Sequence, residues 1–184
     1  MRFLMVTVIL AIGLWPSAAL ADSATVTDEV GDIIVGPEIS DITAATIDFS
    51  AKRLSISVTH ASWRSQWRRY RSATGGRIRF DKGPIFVIVP NVNGRRSQLY
   101  TLKGFRNCPP NKKCVLPCKG WRYAIDEAAL STGVSVPLRC FGLAERPKRV
   151  RVRPFHVIPL IGQQPVVDPV AMTPWIVRSG TRSG

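Results

Sequence analysis

"ISDITAATIDFSAKRLSISVTH", residues 39–60, decides the fold class. Apolar and polar residues alternate on both sides of "SAK" (50–52), the period of two that marks a half-buried strand. Two such runs (39–49 and 53–60) around a short polar break read as a hairpin. The same signal recurs in "RIRFD" (77–81), "IFVIVP" (85–90), "SQLYTLK" (97–103), "WRYAID" (121–126), "GVSVP" (133–137) and "KRVRVRPF" (148–155). The breaks "TGG", "DKGP", "NVNG", "CPPN" and "STG" carry turn residues. Many short strands without a long helical period predict an all-β fold, a two-sheet antiparallel β-sandwich. Helix is expected only as a turn around 139–143. Past Pro159 the chain reads as a strapped-down or loose tail, so the sandwich is expected over 22–160 and the tail over 161–184.

The start of the chain predicts export. Arg2 precedes the apolar run "FLMVTVILAIGLW", and "AALA" offers an A-x-A site with cleavage after Ala21. That run is shorter than the ~20 residues of a spanning helix. No later run is long enough either, so residues 1–21 are expected to be a signal peptide and the remainder a soluble protein, secreted or associated with the cell envelope. One domain of this size buries roughly 70% of its unfolded surface.

Charge is distributed unevenly. Of the 12 Asp and Glu residues, seven fall between residues 22 and 48, where there is no Lys or Arg. From Lys52 onward 25 basic residues face five acidic ones. Such a body favours anionic partners, an anionic polysaccharide or other cell-wall polymer above all. No nucleic-acid-binding motif is present, which disfavours DNA and RNA.

The acidic stretch "TDEVGDIIVGPEISD" (27–41) has two readings. Calcium gathers six to eight oxygens, and Asp28, Asp32 and Asp41, with Glu29 in reserve, lie around two glycine-bearing turns. Alternatively Asp28 and Asp32 make turns, Asp41 starts a strand, and the carboxylates face water. No EF-hand spacing is present. No other cofactor is implied.

The four cysteines are Cys108, Cys114, Cys118 and Cys140. Their C-x5-C-x3-C-x21-C spacing matches no common zinc pattern, and an exported chain with an even count reads as disulfide-bonded. Three pairings are open. One would close a short loop over Pro109 and Pro110 and tie the strand around Trp121 to the end of the strand at Val136.

The segment "HASWRSQWRRYRSATGGRIRF" (60–80) interleaves six arginines with Trp63, Trp67, Tyr70 and Phe80. Stacking aromatics beside guanidinium groups suit a polymer carrying charge and flat rings. The candidate polymer-binding residues are Arg64, Trp67, Arg68, Arg69, Tyr70 and Arg71, with Arg77 and Arg79 on one strand face and Arg149, Arg151 and Arg153 on another. If the two strands are neighbours, the last five form one arginine stripe, with Val150 and Val152 pointing inward. The plainer reading is a set of solvated strand faces.

Only His60 and His156 offer imidazole bases, and His156 sits in the apolar run "RPFHVIPL". There is no G-x-S-x-G, H-E-x-x-H, P-loop or S-x-x-K motif. The chain is therefore read as non-catalytic: a binding module first, a structural or protein-interaction sandwich second, a secreted hydrolase third.

Three pieces, covering about half of the exported chain, together resemble small secreted bacterial β-sandwich proteins related to the family 9 carbohydrate-binding-module and DOMON-like fold. They are "TDEVGDIIVGPEISDITAATIDFSAKRLSISVTH" (27–60), "CKGWRYAIDEAALSTGVSVPLRCFGLAERPKRVRV" (118–152) and "DPVAMTPWIVRSG" (168–180). The resemblance implies a jelly-roll-like sandwich with Cys118 bonded to Cys140. It also implies kinship with proteins that grip sugars with aromatics and sometimes hold structural calcium, most of them without assigned activity. "CPPNKKC" and the basic "WRSQWRRYR" depart from that pattern, and no sugar-site residue carries over.

Overall fold

A computed structural model describes residues 22–28, 41–62, 74–90, 97–109, 114–158 and 166–178. Residues 1–21, where a signal peptide is expected, Glu29, Asp32 and the candidate residues Arg64, Trp67, Arg68, Arg69, Tyr70 and Arg71 lie outside these residues.

The fold is an all-β sandwich of two antiparallel sheets. The first holds β1 (Ser23–Thr27), β2 (Ile42–Phe49), β3 (Arg53–His60), β7 (Arg122–Asp126) and β8 (Ser131–Pro137), in the order β1-β2-β3-β8-β7. The second holds β4 (Thr74–Phe80), β5 (Ile85–Val89), β6 (Gln98–Thr101), β9 (Arg149–Ile158) and β10 (Val166–Pro169), in the order β10-β9-β4-β5-β6. A short β11 (Ile176–Val177) pairs with β9 as well.

The stretch 39–60 folds as its alternation predicts. Residues 42–49 pair with 53–60, and Phe49 stands opposite Leu54. Ser50 closes the turn: its hydroxyl accepts from the backbone N–H of Arg53 at 3.1 Å, a local bond that small hydroxyl residues make readily. Ile47, Phe49, Leu54 and Ile56 point inward and are fully buried. From the facing sheet come Ile78, Phe80, Phe86, Val150 and Val152. Phe141 closes the core, edge-on to both Phe80 and Phe86 at 5.0 Å. Each such side chain contributes up to about 1.5–3 kcal/mol on burial.

Two details depart from the sequence reading. The expected strand 97–103 stops at Thr101, whose hydroxyl accepts from the Gly104 N–H at 3.0 Å and caps a short helix, α1 (Leu102–Arg106). The region beyond Pro159 also contributes strands. β10 and β11 run along the outer side of β9, and the backbone between them is tied down by Val170 N–H to Pro154 O (3.0 Å) and Thr173 N–H to Val152 O (2.8 Å). Within the tail, residues 166–178 are a strap that belongs to the sheet. The expected turn at 139–143 is a 3₁₀ turn over Leu138–Phe141, ended by Gly142 in the left-handed region.

The disulfides join Cys108 to Cys114 and Cys118 to Cys140. The second ties the chain entering β7 to the 3₁₀ turn after β8. Arg53 reinforces that corner, donating to Ser135 Oγ (2.8 Å), Ser135 O (2.7 Å) and Gly120 O (2.9 Å). Among the described residues, no helix is long and apolar enough to cross a membrane.

Candidate functional site: an arginine face on the second sheet

β4 and β9 are neighbours, and their register sets Arg77 opposite Arg153 and Arg79 opposite Arg151. The alternation that buries Ile78, Phe80, Val150 and Val152 turns the arginines to the outer face. Arg149 extends the row by one further position on β9. The structure thus brings together the five strand arginines picked out from the sequence; the six candidates of 64–71 lie outside the described residues.

Like charges directly opposite one another oppose sheet formation. None of the five forms an ion pair with a described carboxylate. Lys82–Glu145, at 2.7 Å, is an ion pair elsewhere on the surface, between two exposed side chains. Asp81, just past β4, directs its carboxylate to the backbone N–H of Lys148 at 3.2 and 3.3 Å.

Partial relief comes from Trp175, which sequence reading did not select. The strap carries its ring over the row, with the guanidinium carbons of Arg149 and Arg151 at 5.2 and 5.1 Å from its centroid. Such cation–π contacts contribute about 0.5–1 kcal/mol at exposed sites. No local pattern marks Trp175: its neighbours Thr173 and Ile176, of opposite parity, are both buried, while Trp175 is half-buried. Arg153 is held by a long bond from Nε to Val170 O at 3.4 Å. Two strands and the strap therefore present an electropositive surface with a flat aromatic in it.

The histidines occupy a different place. Both are buried between the sheets, their rings nearly perpendicular with centroids 4.6 Å apart. His60 Nε2 lies 3.1 Å from Thr132 Oγ1, which lies 2.8 Å from Thr74 Oγ1. Burial, and then the neighbouring His60, push the His156 pKa well below the ordinary imidazole value. This cluster links β3, β4, β8 and β9 at one end of the sandwich.

Of the acidic candidates, Asp28 follows β1 and donates its backbone N–H to Thr43 O at 3.0 Å. Asp41 is buried just before β2. Asp168 on β10 accepts the Ile42 N–H at 2.8 Å, locking the start of β2 to the strap. Among the described residues, no group of three or more His, Cys, Asp or Glu side chains is arranged to hold a metal ion. Glu29 and Asp32 fall outside those residues.

No family model, curated protein or solved structure matches the chain.

Proposed function

We propose that the chain is a secreted, non-catalytic module that binds an anionic polymer, with the outer face of the second sheet as its site. The observation that carries this reading is the double row in which Arg77 faces Arg153 and Arg79 faces Arg151, with Trp175 against Arg149 and Arg151 at one end. Such a row weakens the fold and serves a multivalent anion, which neutralises all of it at once and releases counterions. Two disulfides suit an oxidising compartment and so support export. The burial of both histidines among core strands supports a structural role for them.

The test is elution from a sulfated-polysaccharide column beside a sulfonate exchanger of matched charge density. Selective retention on the polysaccharide, reduced by Arg77→Gln with Arg79→Gln and by Trp175→Ala, is the expected result. Equal elution from both, unaffected by the variants, would leave only a basic solvated surface.

A further inference from the structure

A concavity opens at the lateral edge of the sandwich, between edge strands β6 and β7. It has a volume of about 710 Å³, within the ~300–1,000 Å³ usual for ligand pockets. Its floor is Leu99 of β6 and Leu116, whose N–H donates to Leu99 O at 2.7 Å. One wall is Trp121, just before β7, and Tyr123, on the inward side of β7. Their rings are parallel to within 4°, with centroids 6.2 Å apart. The Tyr123 hydroxyl accepts the Ser97 N–H at 2.8 Å, which fixes that ring.

Two polar groups in this cleft have no side-chain partner among the described residues. Ser97 is 4% exposed, and its hydroxyl has no hydrogen-bond partner among the described residues. A buried unsatisfied group of that kind costs about 1–3 kcal/mol, so its retention calls for an explanation. Lys119, exposed at the rim, forms no ion pair with a described residue. The wall that carries it is rigid: each disulfide fixes one end of the 114–118 segment, and Arg53 holds Gly120.

We propose that this cleft binds a pyranose ring bearing a carboxylate or sulfate group. The C–H face of the sugar lies against the parallel Trp121 and Tyr123 rings, a ring hydroxyl completes the Ser97 hydroxyl, and the anionic substituent meets the Lys119 ammonium. The inference rests on the polyanion reading and narrows the polymer to an acidic polysaccharide. β6 lies two strand positions from β4 in the same sheet, about 10 Å away, so an oligomer of a few sugars spans from cleft towards arginine row.

The experiment is calorimetric titration of the full exported chain with tetragalacturonate and a heparin tetrasaccharide, against inorganic polyphosphate, which has charge but no sugar ring. At least one tetrasaccharide is expected to bind, and to lose about tenfold or more in affinity with Trp121→Ala and severalfold with Ser97→Ala or Lys119→Gln. Polyphosphate affinity is expected to fall only with Arg77→Gln and Arg153→Gln. Trp121 also packs on the core, so Ser97→Ala and Lys119→Gln decide the matter if Trp121→Ala fails to fold. Tetrasaccharide binding unaffected by the cleft variants, or polyphosphate binding without tetrasaccharide binding, overturns the cleft and leaves the arginine face standing. Binding of neither polyanion overturns both.

Discussion

Arg79 and Arg151 stand directly opposite each other across β4 and β9, both on the outer face, with the Trp175 ring over Arg151 at 5.1 Å. Two cations in this position repel, and no described carboxylate pairs with either. The pair therefore separates what is good for folding from what is good for binding a polyanion. Arg79→Gln is expected to leave stability unchanged or to raise it by up to about 1 kcal/mol at low salt, the scale of a cross-strand pair. The gain should shrink as salt rises. Urea unfolding at two ionic strengths reads this out; a loss of more than about 1 kcal/mol would mean that Arg79 has a structural role.

Acid should weaken the fold through the histidine pair. His156 faces Thr74 on β4 and Asp168 on β10 in register, with His60 of β3 edge-on to it and Asp41 at the start of neighbouring β2. Its folded-state pKa lies below the unfolded value of ~6.5. The unfolded chain then binds a proton that the fold excludes. Stability is full above ~6.5 and falls below it by up to about 1.4 kcal/mol per pH unit, until the folded-state pKa is reached. Urea midpoints between about pH 7.5 and pH 5 measure the slope, and His156→Leu is expected to flatten it. A profile that the substitution leaves unaltered would mean that other groups govern acid sensitivity.

How much of this was legible beforehand depends on where the determinants sit. The β2–β3 hairpin is local: alternation and Ser50 specify it within 22 residues. The arginine stripe was half legible, since parity puts Arg77 and Arg79 on one face and Arg149, Arg151 and Arg153 on another. Whether β4 and β9 are neighbours is a long-range fact that no local pattern contains. Trp175 was missed because the strap "DPVAMTPWIV" has two prolines and little alternation, and its hydrogen bonds come from β9. Thr101 shows the opposite failure, where a local cap ended a strand that propensity would have continued. The Ser97–Trp121–Tyr123 cleft depends on two sheet edges meeting.

The two disulfides should differ in weight. Loop-closure entropy gives about 2 kcal/mol for Cys108–Cys114 and about 3 kcal/mol for Cys118–Cys140, whose sequence separation is 22 against 6. Cys118→Ser with Cys140→Ser should lower the melting temperature more than Cys108→Ser with Cys114→Ser. Peptide mapping of unreduced protein must recover 108–114 and 118–140. Any other linkage contradicts the corner described at β7.

Gly75 on β4 should tolerate nothing larger. A Cβ there would lie 2.5 Å from Phe155 Cε2 and 2.6 Å from the Ile88 carbonyl oxygen. One neighbour is a ring that must swing and the other is backbone, so Gly75→Ala is expected to cost about 1–3 kcal/mol. Thermal unfolding checks it. A neutral outcome would mean that the Phe155 ring moves off the outer face freely.

The most direct measurement of the central claim is the salt dependence of dextran sulfate binding, as log K against log[NaCl], for the unaltered chain and for Arg79→Gln with Arg151→Gln. If the arginine face is the site, removing two phosphate-like contacts makes the slope shallower by roughly 1.4–1.8, with folding retained. An unchanged slope with unchanged affinity would place the polyanion elsewhere on the molecule and contradict the account.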